Sequence, residues 1–229
     1  MTADPRGTSP SEQGLAPIGG HDGEDGQGHD AGESPGAVCD ERYSGMDWPT
    51  QPDLPLTELA GALDPGRAID LGCGPGRNAI WLARQGWRVT AVDASAVGLA
   101  QAKERAAREG LSLQLVQADL LSYVPAPASF DLVVVANLHL APEQRAPFFA
   151  RAVAAVAPGG HIFVIGHHLD SLGRVGPPFP ERLYTEALLT ELLAPLEVEF
   201  RRHERSLGDG GSLAVDAVAW ARAPQTSGV

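Results

Sequence analysis

From Ala68 onward, short runs of β-branched and apolar residues alternate with longer stretches in which apolar positions recur every three or four residues. The first pattern predicts strands at Ala68–Leu71, Arg88–Asp93, Leu113–Gln117, Phe130–Ala136 and His161–Gly166. Phe130–Ala136 is apolar at nearly every position, as a central strand buried on both faces should be. The second pattern predicts helices between them. One covers Asn78–Gln85 and is closed by Gly86; another runs from the capping Ser95 to about Glu109 and is closed by Gly110. A third starts at Pro142-Glu143 and carries Phe149, Val153 and Val156 at helical spacing, before Pro158-Gly159-Gly160 turns the chain into the fifth strand. Strand and helix in alternation imply an α/β domain with a parallel sheet covered on both faces.

The last third adds a helix at Thr185–Leu193 and two strands, Glu197–His203 and Leu213–Ala221, joined by the turn Gly208-Asp209-Gly210-Gly211. A turn that short makes a hairpin, so one of the seven strands must run against the others.

Composition changes the picture at the two ends. Residues 1–38 are rich in Gly, Pro, Ser, Asp and Glu, contain no apolar run, and hold seven acids against the single Arg6, half of the chain's net charge of −12. They are expected to form a disordered acidic tail ahead of one domain at 39–223, with 224–229 a flexible C-terminus. A negative chain without a Lys/Arg cluster is a poor match for a phosphate backbone, so nucleic acid is not the expected partner. No apolar stretch is long enough to span a bilayer and the N-terminus lacks signal-peptide order, so a cytoplasmic protein is expected. The two cysteines, Cys39 and Cys73, fit neither a disulfide framework nor a zinc spacing; the tail histidines His21 and His29 read as solvated, and no metal is expected.

Candidate chemistry begins at Gly72-Cys73-Gly74-Pro75-Gly76-Arg77, where three glycines at alternate positions follow a strand and let backbone approach a ligand. The dinucleotide fingerprint needs another glycine where Arg77 stands, which weakens a pyrophosphate reading. Asp93 ends the next strand, where a carboxylate can accept both hydroxyls of a ribose. Asp93→Ala is therefore expected to weaken cofactor binding severely while leaving a folded protein.

Ala68-Ile69-Asp70-Leu71-Gly72-Cys73-Gly74-Pro75-Gly76-Arg77-Asn78 resembles the first motif of class I S-adenosylmethionine-dependent methyltransferases, with Asp70 as its acidic residue. The resemblance continues through Asp93, Gln117-Ala118-Asp119-Leu120, Phe130-Asp131-Leu132-Val133-Val134 and Val156-Ala157-Pro158-Gly159-Gly160, and so spans about residues 40–222. Within that class, Gly76-Arg77-Asn78 and Pro178-Phe179-Pro180-Glu181-Arg182-Leu183-Tyr184-Thr185 are similar to the tellurite-resistance type. It implies a doubly wound, Rossmann-like, mostly parallel seven-stranded sheet. It also implies S-adenosylmethionine as cofactor, held by Asp70, Gly72, Gly74, Gly76, Asn78, Asp93, Ala94, Asp119, Leu120 and Asn137, with Asp119 on the adenine amino group. In the same family the N-terminal segment covers the site, which makes Tyr43 and Trp48 an aromatic cover; a plain hydrophobic anchor is the alternative.

The acceptor is a small molecule on this reading. A thiol or another soft nucleophile needs little activation, whereas an alcohol or phenol needs a base, for which His167 and His139 are the candidates because both leave C-terminal strand ends. Three alternatives stay open: O- or N-methylation of a specialised metabolite, a binding protein without turnover, and a nicotinamide-dependent reductase.

Overall fold

The computed structural model describes residues 35–44, 48–207 and 212–225. Residues 1–34 of the expected tail at 1–38, residues 45–47, the turn at 208–211 and residues 226–229 of the expected terminus at 224–229 lie outside the described residues. The expected boundary at 38 falls within a helix, α1 (Pro35–Ser44), and a second helix, α2 (Leu54–Ala60), follows. The sequence pattern gave no sign of either.

The remaining elements are β1 (Arg67–Leu71), α3 (Arg77–Arg84), β2 (Arg88–Asp93), α4 (Ala96–Arg108), β3 (Gln114–Gln117), β4 (Phe130–Ala136), α5 (Pro142–Ala155), β5 (Val156–His167), α6 (Glu186–Leu192), β6 (Glu197–Ser206) and β7 (Leu213–Arg222). Strand order is β3-β2-β1-β4-β5-β7-β6. β1 to β5 pair in parallel, and β7 enters between β5 and β6, antiparallel to both. The seven strands and the antiparallel excursion are those expected.

Local chemistry explains where these elements stop. Gly86 and Gly110 adopt φ of 89° and 68°, the left-handed conformation that ends α3 and α4 at no steric cost. Ser95 accepts from the Gly98 amide and so caps α4 as foreseen. Pro158-Gly159-Gly160 does not separate helix from strand. β5 begins at Val156 opposite Phe130, shifts register, and resumes with His161 opposite Leu132, so the turn is an irregularity inside a longer strand.

Two apolar cores flank the sheet. On one face Leu56 of α2, Ala79 and Leu82 of α3 and Leu99 of α4 pack on Leu132, Val134 and Ile165. On the other, Phe148, Phe149 and Ala152 of α5 and Leu189 of α6 pack on Val133, Val135, Ile162 and Val164. Ligands of such sheets gather where the strand order reverses, outside the carboxyl ends of β1 and β4. Every candidate site residue foreseen from the sequence lies at that end. Among the described residues no helix is long and apolar enough to cross a membrane.

Candidate active site

The glycine loop does three different things at its three glycines. Gly72 and Cys73 both donate backbone N–H to Val92 O, at 2.8 and 3.1 Å, which ties the loop to β2. Gly72 has φ 85°, and a side chain there would meet only the far ends of Leu120 and Leu138, at 3.4 and 3.9 Å, so this is where backbone faces ligand space. A Cβ on Gly74 would fall 2.7 Å from the Tyr43 hydroxyl. Gly76 serves packing: a Cβ there would lie 2.8 Å from Ala102 Cβ of α4, at φ 82°. Gly76→Ala is expected to cost about 2–4 kcal/mol, from overpacking plus backbone strain, read by chemical denaturation.

Asp70 is the most unusual group of the site. It is 1% exposed, and neither carboxylate oxygen has a hydrogen-bond partner. Burial pushes its pKa up to about 7; Asp53 and Asp93 add to the shift, while Arg77 and, least, the Ala79 amide, which falls outside hydrogen-bond geometry, oppose it. A buried carboxyl left without partners is costly, and it fits a site that waits for a cationic ligand.

Asp93 is also buried, but its oxygens are engaged. Oδ2 accepts from Gly74 N at 2.7 Å and Oδ1 from Ser95 N at 2.9 Å. Burial raises its pKa, and these backbone donors oppose the rise. Each oxygen retains a second lone pair, so two hydroxyls can still be accepted. The expectation that Asp93→Ala leaves the fold intact needs correction, because two buried amides would lose their acceptor. A loss of about 2–4 kcal/mol is expected by thermal or urea unfolding, on top of the lost ligand contact.

Asn78 and Arg77 are placed differently from expectation. Arg77 Nη2 contacts both oxygens of Asp53 at 2.8 Å. Asn78 Nδ2 donates to Asp53 Oδ2 at 2.9 Å, and Asn78 Oδ1 accepts from Asp53 N at 3.0 Å. The amide of Asn78 is thus occupied in joining α3 to the start of α2, and Asp53 is a site residue that sequence reasoning missed. Ala94 accepts from Gln117 Nε2 through its carbonyl. Asp119 Oδ1 accepts from Leu121 N in a turn after β3, and Leu120 flanks Gly72. Asn137 follows β4 in the left-handed conformation, φ 56°, exposed at the switch point.

α1 reaches the same place. Asp40 accepts from Ser95 Oγ and from Val97 N, the latter at 3.0 Å, and so adds a second cap to α4. Those donors hold its carboxyl below the usual range. Tyr43 lies against Gly74 and Gly98 and meets Trp48 edge-on at 5.0 Å. The pair therefore sits over the loop beside Asp93. Burial, with the Asp93 charge next, pushes the Tyr43 phenol up.

At the ends of β4 and β5 the two histidines stack, with centroids 5.0 Å apart. His139 Nδ1 lies 3.0 Å from Arg182 O, which can only accept, so this nitrogen carries the proton; Nε2 then accepts from His167 N at 3.3 Å. Burial holds the ring's pKa down at about 4. His139 has no free nitrogen, which corrects its assignment as a general base: it is a neutral support for His167.

His167 is held against an acid on the neighbouring strand. Its strand partner across β5 and β7 is Asp216, and His167 Nδ1 lies 3.0 Å from Asp216 Oδ1. Asp216 Oδ2 accepts from Arg205 Nε of β6 at 2.9 Å. Burial alone would raise the Asp216 pKa, but His167 and Arg205 outweigh it and keep the carboxyl low. An ionised Asp216 accepts a hydrogen bond from Nδ1–H, the tautomer that leaves a lone pair on Nε2. Asp216 and Arg205 were both missed; the signal was a single acid in the otherwise apolar run Leu213-Ala214-Val215-Asp216-Ala217-Val218. His168, by contrast, caps a 3-10 turn through Nδ1, which accepts from Asp170 N at 3.1 Å.

A seven-stranded sheet of this order, with a glycine loop after β1 and an acid ending β2, defines the class I methyltransferase architecture, and comparison with known proteins agrees. Residues 68–160 match the family described as "Methyltransferase domain". Ribosomal RNA small subunit methyltransferase C of Alcanivorax borkumensis is 36% identical over 108 residues, covering 45% of this chain and 33% of that protein. A ubiquinone biosynthesis O-methyltransferase of a Methylobacterium species is 37% identical over 127 residues, 56% of this chain and 47% of that one. The chain thus matches less than half the length of either relative. The crystal structure of TehB from Haemophilus influenzae shares the fold with a TM-score of 0.64 at 21% identity, over 81% of this chain and 67% of that one. Residues 68–160 thus carry the matched methyltransferase domain, and the whole sheet has the class I methyltransferase fold. The matched class uses S-adenosylmethionine, and the comparisons support that cofactor over a nicotinamide.

Proposed function

We propose that this chain transfers a methyl group from S-adenosylmethionine to an oxygen of a small-molecule acceptor. The cofactor half of the reading is supported by Asp70. A partnerless carboxyl beneath the glycine loop suits the cationic ammonium of the cofactor's methionine end, while Asp93 suits the ribose hydroxyls and Gly72 a close backbone approach. The cofactor supplies an activated methyl on a sulfonium; the chain must align the acceptor and exclude water.

The observation that carries the acceptor half is the His167–Asp216 pair. A thiolate or another soft anion needs no base, whereas a hydroxyl must lose its proton as its oxygen attacks. Asp216 holds Nδ1 and orients the ring, Arg205 holds Asp216, and His139 supports the ring from its face, so Nε2 is the atom that takes the proton. This arrangement favours an alcohol or phenol over the thiol that the sequence suggested. The small size of the acceptor is favoured over nucleic acid by composition, with 29 acidic against 17 basic residues.

Methyl transfer to a panel of phenols, catechols, hydroxy acids and thiols tests the reading. Transfer to hydroxyl acceptors with a rate that rises with pH is expected. Transfer to thiols alone, or cofactor binding with no transfer to any acceptor, would count against it.

A further inference from the structure

Helix α5 turns its apolar stripe to the core through Phe148, Phe149, Ala152 and Ala155, and the first position of that stripe is Arg145. Arg145 is 8% exposed, Nη1 is buried without a hydrogen-bond partner, and no acidic side chain among the described residues lies within ion-pair distance of it. A guanidinium stays charged at any accessible pH, so a buried and unpaired one works against stability. A leucine or methionine would suit that stripe better if stability alone decided.

The surroundings of Arg145 connect it to the reacting end of the site. Phe149, four residues on and on the same face of α5, meets Tyr184 edge-on at 6.4 Å, and Tyr184 is a fully buried ring whose hydroxyl donates to Leu138 O in the loop after β4. Tyr184 packs against His139 at 5.4 Å between centroids, and His139 stacks on His167. Phe149, Tyr184, His139 and His167 therefore form one run of ring contacts at the carboxyl ends of β4 and β5, and Arg145 stands one helical turn before its first member. Asp70 and Asp93, which serve the cofactor, lie on β1 and β2.

We propose that Arg145 binds an anionic group of the methyl acceptor, so that the substrate carries a carboxylate as well as the hydroxyl that His167 deprotonates. The inference rests on the methyltransferase reading above. A carboxylate meets a guanidinium through two parallel hydrogen bonds, which would satisfy the orphaned Nη1 and fix the acceptor's orientation. The cofactor also bears a carboxylate, and the position of Arg145 on α5, one turn before the Phe149 that packs on Tyr184, puts it on the β4–β5 side with the acceptor.

Thermal melts of the parent, Arg145→Met and Arg145→Lys, each in acetate, citrate or chloride at matched ionic strength, read this directly. Without carboxylate, Arg145→Met is expected to melt higher than the parent by about 4 °C, because the unpaired charge is gone. Acetate and citrate should raise the melting temperature of the parent over chloride, raise that of Arg145→Lys by a smaller amount, and leave Arg145→Met unmoved. Affinity for S-adenosylhomocysteine, measured by calorimetry, should agree within twofold between the parent and Arg145→Met. A parent indifferent to both carboxylates, or an Arg145→Met protein that melts lower than the parent, would overturn the proposal. Loss of S-adenosylhomocysteine affinity in Arg145→Met would overturn it too, by placing Arg145 at the cofactor. A parent that fails to bind S-adenosylhomocysteine would instead bring down the methyltransferase reading on which the proposal stands.

Discussion

Asp70→Asn is expected to give a protein that melts higher than the parent at pH 8 and yet binds S-adenosylmethionine at least tenfold more weakly. The first effect follows from the carboxyl's pKa, pushed by burial to about 7 against an ordinary 3.8. Between those two values the folded chain keeps a proton that the unfolded chain releases, so this group's contribution to stability falls as pH rises through the window and stays low above it. Asparagine removes the dependence. At pH 8 the gain is about 1–3 kcal/mol, at about 2–4 °C in melting temperature per kcal/mol, and at pH 4 it should nearly vanish. The second effect follows from the loss of an ionised acceptor for a cationic group, for which a tenfold loss corresponds to about 1.4 kcal/mol. Melts at the two pH values together with calorimetry separate the effects. A variant that melts lower at pH 8 would show Asp70 to be a structural residue.

His167→Ala should lower kcat by about 10²–10⁴ with a hydroxyl acceptor and leave cofactor affinity unchanged within about twofold. Asp216→Asn should lower kcat as well and alter the pH profile, since an amide can donate its NH2 to Nδ1 where the carboxylate can only accept, so the ring can settle in the wrong tautomer. It also leaves Arg205 without its charged partner, so some loss of stability is expected alongside. If Asp216→Asn changed stability alone and left the pH–rate profile as in the parent, the pair would be a fold element and the acceptor a soft nucleophile.

The parts of this structure that repeat a local rule were legible in the chain. Strand and helix periods, the glycines that end α3 and α4, the Ser95 cap and the antiparallel excursion all depend on residues close in sequence, and the family motif placed the glycine loop, Asp70 and Asp93. What escaped depends on contacts between residues far apart. Asp53 meets Arg77 across 24 positions, Asp40 meets Ser95 across 55, and His167 meets Asp216 across 49. Helices α1 and α2 also escaped, because α1 lies in a polar stretch and α2 is only seven residues long. His139 was misjudged for the same reason. Its position at a strand end suggested chemistry, and only the partners at both ring nitrogens show that it is a support.

The most direct measurement is a calorimetric titration of the purified protein with S-adenosylhomocysteine at pH 6 and pH 8, with a nicotinamide dinucleotide as the control ligand. One molecule bound per chain, more tightly at pH 8 than at pH 6 as Asp70 ionises, and no heat from the dinucleotide, is the expected result. No binding of S-adenosylhomocysteine at either pH, or saturable binding of the dinucleotide in its place, would contradict the site described here.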